Sequence, residues 1–125
     1  MLKAEQIREM TQHDITFGSH GHSHRELTNL AADEVKEELN LSWQSLQEVT
    51  GRKPLYVSYP FGSFDETVTR TSKERGFLAA FTVWTKEPSL YAINRLPIHH
   101  KDQGLRFQLK VKHYEWVKPI LVTFQ

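Results

Sequence analysis

The most regular pattern of apolar positions lies between residues 32 and 50, where an apolar side chain recurs every three or four residues. This spacing places the apolar side chains on one face of an amphipathic helix. Asp33 and Glu34 fall in its first turn and Gly51 follows its end, as is usual for helix termini. The pattern therefore predicts a helix over 32–50, with this apolar face: Val35, Leu39, Trp43, Leu46 and Val49.

Three shorter runs have the length and composition of β-strands. They are residues 15–19 (ITFGS), 55–59 (LYVSY) and 77–84 (FLAAFTVW), all of them β-prone. The last run is apolar almost throughout, which is typical of a strand covered on both faces. We expect a further short strand at 95–98.

Helices alternate with these strands. A short helix is predicted over 2–12, and Asp65 is expected to cap a second one that ends at Arg75, before Gly76. The order strand, helix, strand, helix, strand indicates right-handed crossovers and a mainly parallel α/β sheet. The length of 125 residues fits one domain spanning 1–125. Towards the carboxyl end, the local pattern fits a strand and a helix equally well.

Composition narrows the possible chemistry. The 16 Lys and Arg residues against 15 Asp and Glu residues give no strong field for nucleic acid or anionic lipid, so we expect neither partner. Without cysteine there is no disulfide, thiolate zinc site or cysteine nucleophile, and a metal would need His, Asp or Glu. The charged amino terminus and the lack of any run of about 18 apolar residues predict a cytoplasmic chain.

Two polar loops follow the first two predicted strands. One carries His20, His22 and His24, and the other is the segment 59–62. Ligand sites in α/β sheets lie beyond the carboxyl ends of strands, and imidazole is a common metal ligand. On a helical turn His20 and His24 project the same way, whereas an extended segment would add His22. The alternative is an exposed His-rich loop without a ligand.

The segments ITFGSHGHSHREL and YVSYPFGSFDE, separated by a long helix with an acidic start, resemble the NodB-like polysaccharide deacetylases of carbohydrate esterase family four. The resemblance implies a partial (β/α) barrel with mainly parallel strands and flanking helices. It also implies that His20 and His24 bind a divalent metal ion, usually zinc. Ser23 matches the hydroxyl residue before the second ligand, and Gly21 replaces the usual Ser or Thr.

The resemblance also assigns a substrate groove. Tyr59 and Phe61 would offer apolar surface to a sugar, and Trp84 stands where an aromatic side chain often lines the groove. The alternative for Tyr59 and Phe61 is a place in the core at a strand end. The family's Arg-Pro-Pro-Tyr-Gly-like loop, which forms one wall of the groove, is matched here by residues 58–62 (SYPFG), without the usual Arg. The resemblance therefore implies a groove wall formed by Tyr59, Pro60, Phe61 and Gly62.

The family's opening Thr-Phe-Asp-Asp motif, which supplies the catalytic base and the third metal ligand, has no counterpart in the sequence. The catalytic residues are therefore left unassigned. Asp14, His22 or a carboxylate of another chain could complete the ligand set. His99 or His100 loosely matches a late family histidine that assists the leaving group, and the run at 105–120 resembles the family's last helix.

Two functions follow from the resemblance. The first is a metal-dependent deacetylase that hydrolyses the amide bonds of N-acetylglucosamine-type polymers. The second is a carbohydrate-binding or interaction module without catalysis. An unrelated metallohydrolase fits less well, since amidohydrolase barrels need a longer chain. A domain lacking its first strand would expose a sheet edge, so we expect a homodimer or larger assembly. Family members often act outside the cytoplasm.

Overall fold

The computed structural model describes residues 2–112. Within them the chain forms two contact units, residues 2–95 and residues 96–112. No helix in the described range is both long and apolar enough to cross a membrane. In chain order the helices and strands are α1 (Ala4–Gln12), α2 (Ala32–Thr50), β1 (Tyr56–Ser58), α3 (Glu66–Arg75), β2 (Ala79–Thr82), β3 (Ile93–Asn94) and α4 (Gly104–Lys112). Short 3-10 turns occupy Leu27–Asn29 and Pro60–Gly62.

The sheet is parallel, as the alternation of strands and helices predicts. Its order is β1-β2-β3, with Val57 opposite Ala80 and Phe81 opposite Ile93. The segment at 15–19 joins β1 on its other side through a single parallel bridge from Ser19 to Val57. The α/β class and the parallel sheet with flanking helices are therefore confirmed.

The core of the first unit lies between this sheet and helices α2 and α3. Leu39 of α2, Val68 of α3 and Val57 of β1 have no exposed surface and belong to one apolar cluster. The periodic apolar face of α2 contributes Val35 and Leu39 to this cluster, so the helix packs on the sheet through the face that the pattern predicts. The full set of buried residues in the cluster is Leu27, Val35, Leu39, Val57, Tyr59, Val68, Phe77 and Ala80.

Local chemistry fixes the helix ends. The side chain of Asp65 accepts a hydrogen bond of 2.8 Å from the amide of Val68, so it caps α3 as predicted. Gly51 and Gly76 follow α2 and α3 with φ of 68° and 97°, the left-handed conformation that ends helices at glycine. The predicted bounds of both helices are confirmed.

The strands are shorter than predicted, the run at 15–19 forms only an isolated bridge at Ser19 instead of the predicted strand, and one strand lies elsewhere. The strand expected at 95–98 is wrong, because β3 is Ile93–Asn94 and the ladder ends where the amide of Arg95 donates to the carbonyl of Thr82. Thr82 is the last residue of β2, and Pro97 has no amide hydrogen to extend the pairing.

The second unit contains α4, which is stabilised by a buried carboxylate. Asp102 accepts hydrogen bonds from Lys110 Nζ at 2.7 Å, from the amide of His99 at 2.8 Å and from Arg106 Nε at 2.8 Å. The hydrogen bond from Lys110, followed by that from His99, lowers the pKa of Asp102 well below its usual range. The expected carboxyl-terminal helix is present at 104–112, and the rest of the run at 105–120 lies outside the described residues.

Gly62 and Gly51 provide a matched test of backbone crowding. Both have positive φ, but a Cβ on Gly62 would lie 2.7 Å from the amide nitrogen of Val83, whereas nothing lies within 4 Å of one on Gly51. Gly51→Ala should therefore lower the free energy of unfolding by about 1–2 kcal/mol, the cost of placing an alanine in the left-handed region. Gly62→Ala should lower it by about 1–3 kcal/mol more, because the new Cβ overlaps Val83. Urea unfolding of both variants measures this, and equal losses would contradict the close approach.

Candidate functional site

Parallel pairing places two loops side by side. The amide of Ser19 donates to the carbonyl of Tyr56 at 2.8 Å, and the amide of Ser58 donates to the carbonyl of Ser19 at 2.8 Å. Because the two segments run in the same direction, their carboxyl ends reach the same edge of the sheet. The histidine loop, residues 20–24, and the aromatic loop, residues 59–62, therefore begin next to each other.

Two of the three histidines meet in the structure. The ring centroids of His20 and His24 are 4.9 Å apart at an interplanar angle of 70°, and the ring of Phe61 lies 4.9 Å from that of His24. His24 and Phe61 both have φ of 58°, in the left-handed region that non-glycine residues rarely adopt. Such backbone strain is characteristic of functional sites.

The hydrogen bond of His20 determines which ring nitrogen is available. Its Nδ1 lies 2.6 Å from the carbonyl oxygen of Ser58. A carbonyl can only accept, so Nδ1 carries a proton, and in the neutral ring Nε2 keeps its lone pair. Metal-binding histidines usually donate a hydrogen bond from their second ring nitrogen to a backbone carbonyl or a carboxylate in this way. The arrangement at His20 therefore fits a metal ligand that binds through Nε2.

Glu38 of α2 holds the middle of the histidine loop. One carboxylate oxygen accepts from the amide of His22 at 3.0 Å and of Ser23 at 2.9 Å, and the other accepts from the Ser23 hydroxyl. Glu38 is only 7% exposed. Burial raises its pKa, but the hydrogen bonds from Ser23 and His22 outweigh burial and leave the pKa below its ordinary value.

Gly21 allows the loop to approach its neighbours. Its φ is 75°, and a Cβ at this position would lie 3.3 Å from Cγ of Pro60 and 3.5 Å from a carboxylate oxygen of Glu38. A side chain would be strained here in any case, since the left-handed region disfavours L residues. The glycine that replaces the expected Ser or Thr therefore matches the local backbone.

The aromatic loop presents one of its side chains to solvent. Tyr59 is 0% exposed, stacks on Phe64 and donates its hydroxyl to the carbonyl of Tyr91 at 3.0 Å, and burial raises its pKa to about 12. Pro60 is also buried, whereas Phe61 is 64% exposed. Of the four residues of the aromatic loop, Phe61 alone has a large exposed side chain, and Tyr59 has the core position that was the alternative.

A cavity of about 440 Å³ opens beside His20. Tyr56 and Phe81 form its aromatic part, with ring centroids 6.2 Å apart. Ser58, whose hydroxyl is buried and has no hydrogen-bond partner, also lines it. The cavity is large enough for a small polar ligand with an apolar face. The complete lining is Thr16, Gly18, Ser19, His20, Tyr56, Val57, Ser58, Phe81 and Arg95.

The remaining candidate residues do not join the histidine pair as ligands. Within residues 2–112 no three His, Asp or Glu side chains are arranged to hold a metal ion, so neither Asp14 nor His22 completes the set. Trp84 lies two residues beyond β2 and is 36% exposed. His99 and His100 belong to the second unit.

Sequence reasoning missed Glu38 and the inner residues of the cavity. The signal for Glu38 was present, because an acidic residue between Val35 and Leu39 falls on the apolar face of the predicted helix. A carboxylate on such a face needs hydrogen-bond donors from another segment. Tyr56 and Phe81 were assigned to strands, but the face of the sheet on which they lie was not predicted.

Comparisons with known proteins agree with this fold. The polysaccharide deacetylase family model matches residues 3–80, and the chain therefore belongs to the polysaccharide deacetylase family. It is similar to a polysaccharide deacetylase from Bacillus cereus, BC0361, with 27% identity and a TM-score of 0.76 over 88% of this chain and 36% of that one.

Two further relatives differ in their described activity. The peptidoglycan-N-acetylmuramic acid deacetylase PdaA of Bacillus subtilis is 30% identical over 60% of this chain and 29% of its own length. BA3943, described as a family 4 pseudoenzyme from Bacillus anthracis, shares the fold at 18% identity, with a TM-score of 0.59 over 62% of this chain and 27% of that one. The chain thus spans about a third of the length of these relatives.

The position of Glu38 predicts a dependence of stability on pH. Its folded pKa is below the ordinary 4.5, so its contribution is complete above that pH and is lost as the pH falls through the folded value. Glu38→Gln should lower the free energy of unfolding by about 1–3 kcal/mol at pH 7. The difference from the unmodified protein should shrink below about pH 4.5.

Urea unfolding between pH 3 and pH 7 measures this difference. The control is Glu37→Gln, which makes the same charge change at an exposed position of α2. A Glu38→Gln loss that does not vary with pH, or that Glu37→Gln reproduces, would contradict the assigned role of the carboxylate.

Proposed function

We propose that this chain acts as a metal-dependent deacetylase on N-acetylglucosamine-type polymers. The observation that carries the proposal is the pair His20 and His24, whose rings meet at the carboxyl edge of a parallel sheet. Family membership and the similarity to BC0361 and PdaA support the reaction class. The products would be acetate and the free amino sugar, from hydrolysis of the amide carbon–nitrogen bond.

His20 and His24 would hold the ion, which we take to be zinc. When bound, a catalytic zinc ion polarises the substrate carbonyl and lowers the pKa of water to about 7. The hydrogen bond from Nδ1 of His20 to the carbonyl of Ser58 would orient the ring and leave Nε2 to bind the ion. Catalytic zinc usually has three protein ligands, and His20 and His24 would supply two of them, with no third His, Asp or Glu grouped with them within residues 2–112. The residues that fit the ion are therefore a partial ligand set.

The exposed ring of Phe61 would contact the sugar. It lies against His24, so a ring stacked on Phe61 would be adjacent to the proposed metal site. Glu38 does not suit the catalytic base, because both of its oxygens already accept hydrogen bonds from the histidine loop. The cavity beside His20 would take the part of the substrate that carries the acyl group.

A second candidate function is a carbohydrate-binding module without catalysis. It is favoured by a specific observation: within residues 2–112 no further Asp or Glu joins the histidine pair in a metal-binding group. The fold neighbour BA3943, described as a pseudoenzyme, has the same architecture. Both functions would use Phe61 and the cavity, and they differ in whether acetate is released.

The self-association and the cytoplasmic location expected from the sequence stay predictions.

Metal content and acetate release test the two functions together. Protein purified without a His tag should contain close to one zinc ion per chain by mass spectrometry, and His20→Ala with His24→Ala should remove it. His22→Ala is the matched control and should retain the metal. With zinc or cobalt added, the unmodified protein should release acetate from N-acetylglucosamine oligomers, and the double variant should lose that activity by at least about a hundredfold.

The outcomes separate the candidates. Stoichiometric metal with acetate release supports the deacetylase. Binding of the oligomers without acetate release would replace it by the binding module. Metal content no higher than in the double variant would refute the proposed ligands.

A further inference from the structure

We propose that Glu38 is the positioning residue of the histidine pair: its carboxylate fixes the turn between His20 and His24 so that the two rings meet. The inference rests on the proposed function, because a paired geometry matters only if both rings bind one ion. Glu38 lies outside both loops, on α2, and does not itself act as a ligand in this arrangement.

The contacts of Glu38 are concentrated at the centre of the histidine loop. Its carboxylate accepts from two successive amides, those of His22 and Ser23, and from the Ser23 hydroxyl. These donors lie midway between the two ring-bearing residues. Fixing them sets the path of the backbone into His24, whose φ of 58° needs compensation from the surrounding structure.

A carboxylate suits this set of partners better than a neutral amide. All three groups donate hydrogen bonds, and an ionised carboxylate is an acceptor at both oxygens. An amide of the same shape could still accept from the two backbone amides through its oxygen, but its NH₂ group would require the Ser23 hydroxyl to turn and accept. Charge-assisted bonds are also stronger than neutral ones. Replacing Glu38 by Gln therefore removes part of the anchor while preserving side-chain volume.

The same helix also holds the segment that leads into the loop. The hydroxyls of Ser42 and Ser19 are hydrogen bonded at 2.7 Å, four residues further along α2 from Glu38. Positions four apart lie on one helix face, so Ser42 contacts the residue before the loop while Glu38 contacts the middle of the loop. Val35 and Leu39, both buried in the core, fix this face of α2. The histidine loop is thus positioned from the core.

The test compares Glu38→Gln with Glu37→Gln, the same change at the neighbouring exposed position of α2. In metal-free protein, amide hydrogen exchange at His22 and Ser23 should accelerate at least about tenfold in Glu38→Gln and should be unchanged in Glu37→Gln. Affinity for Co²⁺ and Zn²⁺, measured by competition with a chromogenic chelator, should fall about 10–100-fold in Glu38→Gln. The visible spectrum of bound Co²⁺ should also differ between Glu38→Gln and the unmodified protein, because the positions of the two histidine rings change.

Ser23→Ala is the second variant, used if Glu38→Gln fails to fold. It removes the hydroxyl donor and leaves both amide bonds, so it should weaken Co²⁺ binding in the same direction by a smaller factor. Unchanged exchange and unchanged Co²⁺ affinity in a folded Glu38→Gln protein would overturn the inference.

Failure of the proposed function gives a different result. If the unmodified protein binds no Co²⁺ or Zn²⁺, the metal-dependent function is refuted. Accelerated exchange in Glu38→Gln would then still support the anchoring of the loop, whereas unchanged exchange would refute both.

Discussion

The parallel pairing of Ser19 with β1 is the constraint on which the rest of the site depends. Two backbone hydrogen bonds of 2.8 Å align the segment before His20 with the strand before the aromatic loop. Parallel strands deliver their carboxyl ends to one edge, so residues almost 40 positions apart in sequence become neighbours. The contacts between His20 and Ser58 and between His24 and Phe61 both follow from that register.

Polar contacts from α2 then convert proximity into a defined geometry. Ser42 binds Ser19 before the loop, and Glu38 binds His22 and Ser23 within it. A loop held by buried polar groups of a packed helix can retain strained residues that would relax in a free loop. The structure therefore holds two imidazoles in contact, and the neutral ring of His20 has its Nε2 lone pair available.

The sequence allowed much of the framework to be predicted. The bounds of α2 followed from its apolar period and Gly51, and those of α3 from Asp65 and Gly76, because these signals are local. The partners of Glu38 could not be predicted, since its hydrogen bonds join segments about 15 residues apart. The aromatic residues Tyr59 and Phe61 have the same chemical character, and only the backbone at Phe61, with φ of 58°, turns one ring outward.

The central claim is that the fold brings His20 and His24 together as ligands of one metal ion. Anomalous diffraction at the zinc edge, from crystals grown with zinc, tests it most directly. The account predicts a single peak about 2.0–2.1 Å from Nε2 of His20 and at the same distance from a ring nitrogen of His24, with the bond from His20 to Ser58 retained. Zinc bound elsewhere, or at His20 through Nδ1 with that bond broken, would contradict it.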